Sequence, residues 1–587
     1  MKKIIFQSKL DKFVFKDKVI FLNKLCVKKN DFDLNDLKKL INIYYDKWLN
    51  DAKKIHLFLS KNYFKKTGKY WWLTDSSRFI LWKTKSEYSL KDYLYSRAII
   101  KLIEADQQQS NFIIIEGNFS IFFYVKKKLS KNYILINNDL NIKNNNLICK
   151  IFVQFIKIVF LNIFYAFKLI MQLKFIKKID KFKNFKKAIV SIAINEKIIK
   201  ERNDHFFGKM FDQHKNDFLW IYSDLPKSKK SIIKFINNSK RKHIFALDFG
   251  DLISIFASYF EYLMFYLRII FLYRILKKKL NNNFWQFYHE EYFFNKLIFE
   301  NIFYEIYLYK IYKKIFKLLK INKIVLPYEE SSWQKSIILA SQNYNHMLYG
   351  YAHASHSQAH KFFFNKNDNI NPPRPNKILV TGKIAQMKFL NFSYNNNDII
   401  IVGSEKFHQK VNIINFKGVK RPKILFMCGI GAEIINFSKF LKYNNEFFSK
   451  YELFIRENPH SWKAESVIAK KIFKEKNIDY KVSNMNLIED VISSKYILFE
   501  SSTAGLEGIL LGRLGMQINV TDNIYSDQFD DKDRNNLKYF MNFEDLEKGL
   551  ENFESFSEKE YNNYIDKQIF KVNLLIEKTN TKNLGKI

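Results

Sequence analysis

Short, continuous runs of apolar residues alternate with longer stretches of helical periodicity between about residues 112 and 520. Apolar residues that follow one another without polar alternation are typical of parallel strands covered on both faces. The helix-length segments between the runs supply the crossovers that such strands need. The pattern predicts an α/β protein with strands within residues 112–118, 133–137, 187–193, 218–224, 243–251, 323–331, 377–383, 399–405, 423–433, 452–458, 496–502 and 516–520.

A proline-rich break, NPPRP at 371–375, is the best candidate for a linker. It divides the chain into residues 1–370 and residues 376–587, and each part is long enough to bury its own core. We therefore predict two Rossmann-like, doubly wound domains that face a cleft, with amphipathic helical insertions in the first. Ligands are expected in the cleft and at the carboxyl ends of the strands.

Two segments, 147–173 and 252–279, are rich in Ile, Leu and Phe but have helical periodicity. Lysines interrupt the first segment too often for a helix that spans a bilayer. One interpretation is that both helices are buried between a sheet and its neighbours. The other, which we favour, is that they lie in a membrane interface, with a basic tail at 174–187 among the lipid headgroups.

Charge divides the chain unevenly. The 587 residues include 98 Lys and Arg and 58 Asp and Glu, a net charge of +40. Residues 1–420 hold 74 of the basic and 33 of the acidic residues, so they carry +41 and the remainder carries −1. A codon bias toward Lys and Asn acts on a whole gene and does not explain this split. The N-terminal part is therefore expected to meet an anionic partner such as a lipid surface, a phosphorylated acceptor or nucleic acid.

Cysteine content and the first residues bear on location. Cys26, Cys149 and Cys428 are far apart and odd in number, which favours a reducing compartment over a disulfide framework. The first residues lack a continuous apolar region of the kind found in signal peptides. We expect a cytoplasmic protein that is peripheral at the inner face of the plasma membrane. The sequence has no recognised nucleic-acid-binding motif, so nucleic acid is not predicted as a partner.

The segment FESSTAGLEGILLGR, 499–513, places three hydroxyl side chains between an apolar strand and an apolar helix. Ser501, Ser502 and Thr503 would lie at the N-terminus of that helix, where free amides and the helix dipole favour a phosphate. Glu507, about one turn further on, would reach the hydroxyls of a ribose. Simple helix capping is the alternative, but capping leaves an acidic residue inside an apolar helix unexplained.

Two other strand ends carry polar or glycine residues. In RENPH, 456–460, Arg456 and His460 flank a rigid proline turn, which suits contact with a phosphate or a base edge. A plain surface turn is the alternative. In FMCGIGAE, 426–433, Gly429 and Gly431 would let a loop pass close to a diphosphate, although the spacing is not a full dinucleotide fingerprint.

In this order, the glycine loop, the RENPH turn and the Ser/Thr–Glu segment resemble the donor-binding half of GT-B glycosyltransferases. The resemblance covers roughly residues 320–525 and is closest to bacterial surface-carbohydrate enzymes of the capsule, lipopolysaccharide and sialyltransferase-like groups. The chain departs from the usual pattern in having Pro459-His460 where the family has His-Pro. The resemblance implies GT-B architecture, a nucleotide-activated sugar as donor, and catalysis with neither a bound metal nor another cofactor.

The segment 326–360 resembles a part of the same enzymes that carries Tyr-Glu, Trp and Gly-Tyr-x-His pieces. Glu329 and Glu330 follow a predicted strand, where a general base for an acceptor hydroxyl is needed; a helix cap is the alternative. Asp248 and Asp251, at another strand end, are rival bases.

The same segment contains three histidines, His353, His356 and His360. Their spacing matches no strong zinc pattern and no carboxylates lie nearby in the sequence, so a metal site is not predicted. The Gly-Tyr-x-His piece instead suggests that His353 faces the phosphate or sugar of the substrate.

Together these features predict a transferase that moves a sugar from a nucleotide donor to a surface polysaccharide or a lipid-linked acceptor at an anionic membrane surface. A CDP-polyol phosphotransferase or a sugar-nucleotide 2-epimerase would use the same fold. A non-catalytic scaffold that binds membranes or nucleic acid through its basic half is the alternative of another class.

Overall fold

The computed structural model describes most of the chain beyond residue 182 and separate elements before it. The described residues are 2–7, 18–20, 112–116, 133–137, 156, 159, 160, 162–164, 166, 167, 169, 170, 182–192, 204, 206–214, 216–223, 236, 241–279, 302–329, 331–342, 344–353, 373–391, 394–407, 409–411, 420–429, 433–458, 463–475, 477–483, 485–518, 529, 537–540 and 543–587.

Within these residues, the strands form three sheets in which every pairing is parallel. The predicted fold class, α/β with doubly wound parallel sheets, is confirmed. The first sheet has the order β2-β3-β1-β4. Its strands are β1 (Lys2–Gln7), β2 (Lys18–Ile20), β3 (Phe112–Glu116) and β4 (Tyr133–Asn137).

The second sheet has seven strands in the order β11-β10-β9-β8-β5-β6-β7. The chain builds outward from β5 through β6 and β7, then returns to the other side of β5 with β8, so the direction of winding reverses between β5 and β8. The strands are β5 (Lys187–Ser191), β6 (Phe218–Tyr222), β7 (His243–Phe245), β8 (Lys323–Pro327), β9 (Met347–Ala352), β10 (Lys377–Val380) and β11 (Ile399–Ile401).

The third sheet has six strands in the order β14-β13-β12-β15-β16-β17. Here the winding reverses between β12 and β15, which is the strand order of a dinucleotide-binding fold. The strands are β12 (Lys423–Met427), β13 (Glu452–Arg456), β14 (Lys481–Val482), β15 (Tyr496–Phe499), β16 (Leu514–Ile518) and β17 (Tyr539–Phe540).

Helices connect the strands, as the helical periodicity of the intervening segments predicts. Several have capping boxes; for example, the Ser557 side chain accepts from the Glu560 amide at the start of α11. The helices are α1 (Leu252–Lys279), α2 (Phe303–Leu318), α3 (Ser332–Ser341), α4 (Lys383–Asn391), α5 (Glu433–Tyr443), α6 (Asn445–Phe448), α7 (Lys463–Glu475), α8 (Leu487–Ile492), α9 (Thr503–Leu510), α10 (Phe543–Glu554), α11 (Glu558–Leu575) and α12 (Thr581–Gly585).

The proline-rich break at 371–375 does not coincide with the change from one sheet to the next. Strand β10, which follows the break, pairs with β9, which precedes it, and β11 then pairs with β10. The change of sheet instead falls between Ile401 and Lys423. A proline-rich segment can connect neighbouring strands of one sheet as well as two domains, so the break did not mark this change. The bounds 1–370 and 376–587 therefore differ from the bounds of the sheets, and the division into two domains stays a prediction.

The end of the chain returns to the seven-stranded sheet. After α11, the Glu577 amide donates to the Thr381 carbonyl at 2.8 Å, and the Asn580 amide donates to the Val402 carbonyl at 2.9 Å. Leu584 and Ile587 are buried in the same apolar cluster as Trp220 of β6. The last residues thus contribute to the core of a sheet whose strands all lie much earlier in the sequence.

Helix α1 carries an outward apolar stripe. Its Ser258 is fully buried and Glu261 pairs with Lys310 of α2 at 2.7 Å, so these polar residues face the protein. Side chains with exposed fractions of 45% to 81% lie along the opposite face: Ile253, Phe256, Phe260, Met264 and Leu267. Among the described helices, none combines the length and apolar character that crossing a membrane requires.

Candidate functional site

The reversal of winding in the six-stranded sheet brings the segments after β12 and β15 together. Met427 and Phe499, the last residues of the two strands, are register partners, so both strands end at the same level. Gly429 follows β12 and Ser501 follows β15. A crevice at such a reversal, beside the carboxyl ends of the strands, is where ligands bind in open α/β sheets.

A buried carboxylate, Glu433 at the start of α5, joins these two segments. Its Oε2 accepts from the Gly429 amide at 2.5 Å, and its Oε1 accepts from the Ser501 hydroxyl. The side chain is 3% exposed. Burial raises the pKa of Glu433 to about 7, against the opposing effect of the hydrogen bonds from Ser501 and Gly429. The corner predicted for a phosphate therefore contains a carboxyl group that accepts from the amides of Gly429 and Ser501 and from the Ser501 hydroxyl.

The hydroxyl residues lie where the sequence predicts them, at the N-terminus of α9. Ser501 is exposed, Ser502 is buried and Thr503 is half-buried. Ser502 is the N-cap residue, but its side chain makes no capping hydrogen bond to the helix. The first amides of a helix have no partner within the helix. Amides at such a position, together with neighbouring hydroxyls, are groups that can donate to an anion.

The glycines of this region serve close packing. A Cβ on Gly429 would lie 2.4 Å from Glu433 Oε1 and 2.5 Å from Ser501 Oγ, so the bridge between these residues requires a glycine there. A Cβ on Gly505 would lie 2.2 Å from the Phe499 ring. Gly505 therefore allows α9 to pack on β15.

Glu507 is 3% exposed, on the first turns of α9. Its carboxylate is thus covered by the protein. Contact between Glu507 and a ribose stays a prediction.

Arg456 ends β13 and is engaged by the protein itself. Its Nη1 donates to Asp490 Oδ2 at 2.6 Å and to the Met485 carbonyl at 2.8 Å. Asp490, on α8, is fully buried and also accepts from the Ser483 hydroxyl. The pair joins β13, β14 and α8, and this structural role accounts for Arg456; its contact with a nucleotide stays a prediction.

Three predicted site residues lie outside the described residues: Gly431, His460 and Glu330. In the sequence, Gly431 lies between β12 and α5, and His460 lies between β13 and α7. Their assignments stay predictions.

At the carboxyl edge of the seven-stranded sheet, two predicted catalytic residues meet. Glu329 follows β8 and His353 follows β9, and these strands are neighbours. Glu329 Oε1 lies 3.3 Å from His353 Nε2, with the two side chains 28% and 10% exposed. The pair lies beside the reversal between β5 and β8, and the carboxylate is open enough to receive a substrate proton.

A capping box that involves Gln334 lies at the start of α3. The amides of Glu329 and Ser331 donate to the side-chain oxygen of Gln334, at 2.8 and 3.0 Å. The role of Glu329 as a base stays a prediction beside that of a helix cap.

A fixed loop covers His353. Asp204 accepts from the Ser191 hydroxyl at 2.8 Å and from the amides of Phe206 and Phe207, both at 2.9 Å. The Phe206 ring then lies edge-on to the His353 ring, with centroids 4.8 Å apart. Burial raises the pKa of Asp204, although these hydrogen bonds oppose the shift. The orientation of the His353 ring is therefore set by packing.

The rival bases, Asp248 and Asp251, follow β7, the strand at one edge of this sheet. Asp251 accepts from the Ser254 amide at 2.6 Å and pairs with Lys314 at 3.1 Å, so it caps α1. Although partial burial opposes the shift, the bonds from Ser254 and Lys314 lower the pKa of Asp251. A low pKa and a capping role both make Asp251 a poor base. Asp248 lies in a short 3₁₀ helix, Ala246–Phe249, that precedes α1.

Metal ions bind where several ligating side chains lie close together. Among the described residues, no group of three or more His, Cys, Asp or Glu side chains could hold a metal ion. His356 and His360 lie outside the described part of the chain. The expectation of a site without metal or other cofactor stays a prediction.

No family model matches the chain, and no curated protein sequence matches it. Solved structures with a related backbone include a glycosyltransferase from Rickettsia africae ESF-5, 12% identical, covering 69% of this chain and 97% of its own, with a TM-score of 0.39. They also include a UDP-GlcNAc 2-epimerase from Neisseria meningitidis bound to UDP-GlcNAc, 8% identical, covering 68% and 100%, with a TM-score of 0.38. Another is MurG from Acinetobacter baumannii, 8% identical, covering 68% and 98%, with a TM-score of 0.37. A likeness at these values does not identify a substrate or a reaction.

Sequence reasoning missed Glu433. Glu433 is the last residue of the segment FMCGIGAE. Its signal in the sequence was an acidic side chain at the start of the helical stretch that follows the two glycines. An acid at that position normally indicates a favourable interaction with the helix dipole. Its partner Ser501 lies 68 positions later, and only the pairing of β12 with β15 brings them together.

Proposed function

We propose that the chain is a metal-independent glycosyltransferase of GT-B type that uses a nucleotide-activated sugar and works at the cytoplasmic face of a membrane. The observation that carries the proposal is the corner between β12 and β15. There, the Gly429 amide and the Ser501 hydroxyl converge on an anionic group at the reversal of a dinucleotide-type sheet. A donor phosphate requires the same kind of partner.

The Glu329–His353 pair supplies the complementary chemistry for the acceptor. In the proposed step, an acceptor oxygen bonds to the anomeric carbon of the sugar while the bond from that carbon to the donor phosphate breaks. The acceptor proton passes to Glu329, and the nucleotide leaves with the electron pair. His353, 3.3 Å from the carboxylate, positions Glu329 and stabilises its charge. The proposal requires the two sheet edges to face a common gap.

The helical surfaces of the N-terminal part favour an acceptor bound to a lipid surface. The exposed stripe of α1 from Ile253 to Leu267 is about 21 Å long at the rise of an α-helix. The described residues between 156 and 170 are helical, and their exposed side chains are Ile156, Phe160, Ile163, Phe164 and Phe167. Residues 1–420 carry +41, which complements anionic headgroups. A lipid-linked or growing polysaccharide acceptor fits such a surface, whereas an epimerase acts on a soluble substrate.

The reaction is tested by incubating the protein with CMP-, CDP-, UDP- and GDP-linked sugars and a panel of saccharide and lipid-linked acceptors, with products identified by mass spectrometry. We expect free nucleotide together with a glycosylated acceptor for one donor. A changed sugar still attached to its nucleotide would indicate an epimerase, and transfer of a phosphopolyol would indicate the phosphotransferase. Either product, or no reaction with any donor, would contradict the proposal.

The membrane surface is tested by flotation with vesicles that contain anionic lipid. Replacing Phe256 and Phe260 by Ser should reduce the bound fraction, because both side chains are more than half exposed on the stripe of α1. Phe570→Ser is the matched control, since Phe570 is 65% exposed on α11, away from the stripe. Equal flotation of all three proteins would contradict a lipid-facing role for α1.

A further inference from the structure

The corner between β12 and β15 contains a carboxylate where the proposed function places a phosphate. Glu433 accepts hydrogen bonds from the Gly429 amide and from the Ser501 hydroxyl and amide, which follow the two strands at the reversal of the sheet. Gly429 cannot carry a side chain without striking Glu433 or Ser501, so the backbone is shaped around this bridge. A carboxylate and a phosphate oxygen are both acceptors for these groups.

We infer that Glu433 is a tethered competitor of the donor: it occupies the anion corner and yields its hydrogen-bond donors when a phosphate binds. The inference rests on the proposed function, because it takes the corner as the place of the donor phosphate. Two negative groups cannot share the same amides and hydroxyl without repulsion, since a like charge nearby disfavours ionisation. Binding therefore requires that Glu433 be protonated or withdrawn.

The surroundings of Glu433 make protonation the easier route. The titratable groups of the neighbouring segments are the buried Cys428 thiol after β12, Glu457 after β13, and Glu500 and Glu507 in the segment after β15. Burial, Glu433 and Glu457 raise the pKa of Cys428, so the thiol is neutral. Among the described residues, Glu433 forms no ion pair with Lys or Arg, and its pKa is raised to about 7.

This competition predicts the direction in which anion affinity changes with pH. Below pH 7, Glu433 is mostly protonated and an incoming anion meets a neutral group. Above pH 7, the carboxylate is ionised, and binding an anion must then take up a proton or displace the side chain. Anion affinity should therefore fall as pH rises through about 7.

The test measures the dissociation constant of sulfate at pH 6 and pH 8 by titration of the folded full-length chain. Sulfate keeps its double charge across this range, so the protein alone changes. For the wild type we expect binding to weaken about tenfold between the two values, since pH 8 lies one unit above the pKa of Glu433, about 7. Glu433→Gln should bind equally at both values, and at pH 8 about tenfold more tightly than the wild type. The exposed Glu544→Gln is the control and should behave as the wild type.

Other results overturn the inference. Loss of sulfate binding in folded Glu433→Gln would mean that the carboxylate builds the site, and an unchanged pH dependence would mean that it does not compete. Should Glu433→Gln fold poorly, Glu433→Asp withdraws the carboxylate by one methylene and should also bind sulfate more tightly than the wild type at pH 8. Proton-linked sulfate binding without any response to sugar nucleotides would retain the competitor and remove the proposed donor, so the two failures are distinguishable.

Discussion

The seven-stranded and six-stranded sheets are wound in the same way, with a reversal inside each sheet, but their carboxyl edges hold different chemistry. Beside the reversal of the seven-stranded sheet, the Glu329 carboxylate is partly exposed and lies against His353. At the reversal of the six-stranded sheet, Ser501 is exposed, and its hydroxyl donates to the buried carboxylate of Glu433.

The difference follows from which groups each edge presents to a ligand. An accessible carboxylate beside a histidine is arranged to accept a proton. A hydroxyl and backbone amides at a helix N-terminus are arranged to donate hydrogen bonds to an anion. In the proposed reaction, one winding pattern would therefore provide a place for the proton of the acceptor and a place for the charge of the donor.

The largest expected effect is a loss of turnover, and it distinguishes the carboxyl edge of the seven-stranded sheet from that of the six-stranded sheet. Glu329→Gln should lower turnover by about 10²- to 10⁴-fold, the usual contribution of a general base, without weakening the binding of the donor. Asp251→Asn is the matched control, because Asp251 caps α1, and it should retain most of the activity. Steady-state kinetics with the identified donor measure both variants. Comparable losses in the two variants would remove the assignment of Glu329 as base.

The next effect concerns Arg456, which the sequence assigns to the donor and the structure engages with Asp490. Arg456→Ala should lower the free energy of unfolding by about 3–5 kcal/mol, because it leaves a fully buried carboxylate without its closest cation. Lys471→Ala, which removes an exposed pair with Glu475, should leave the melting temperature unchanged. Calorimetry or denaturant titration gives the comparison. An undiminished stability of Arg456→Ala with weaker nucleotide binding would restore the original assignment.

The smallest effect tests whether Gly505 serves packing. Gly505→Ala should cost about 1–3 kcal/mol, because its methyl group would overlap the Phe499 ring. Gly585→Ala is the control, since a Cβ there meets no atom within 4 Å. Equal stabilities, with a loss of donor affinity confined to Gly505→Ala, would favour the interpretation that a ligand approaches the backbone at this position.

Periodicity was sufficient to find most of the strands. Each continuous apolar run predicted as a strand contains or overlaps a strand of the structure, including β8 and β15. Five strands were not predicted: β1, β2, β9, β14 and β17. The edge strands β14 and β17 have two residues each, and so short a run has no periodicity to detect. Strand β9, Met347–Ala352, was missed although it has six residues. The sheet to which each strand belongs could not be predicted from the pattern either, since a run of apolar residues does not specify which strand lies beside it.

The candidate site was predictable where one segment carries the chemistry. The strand-to-helix turn at Ser501, Ser502 and Thr503 was placed correctly by composition, as was the position of Glu329 at a strand end. The contacts between segments were not predictable in the same way. The Glu433–Ser501 and Arg456–Asp490 contacts depend on strand pairing and on α8, and neither leaves a signal within a single segment.

The most direct test of the central claim measures donor binding at the corner after β15. Wild-type protein and Ser502→Ala are compared by thermal shift with CMP-, CDP-, UDP- and GDP-linked sugars, each added well above its expected dissociation constant. The account predicts that one class of donor raises the melting temperature of the wild type, and that Ser502→Ala, with an unchanged melting temperature alone, loses most of that rise. A rise of equal size in both proteins, or no rise with any donor, would contradict it.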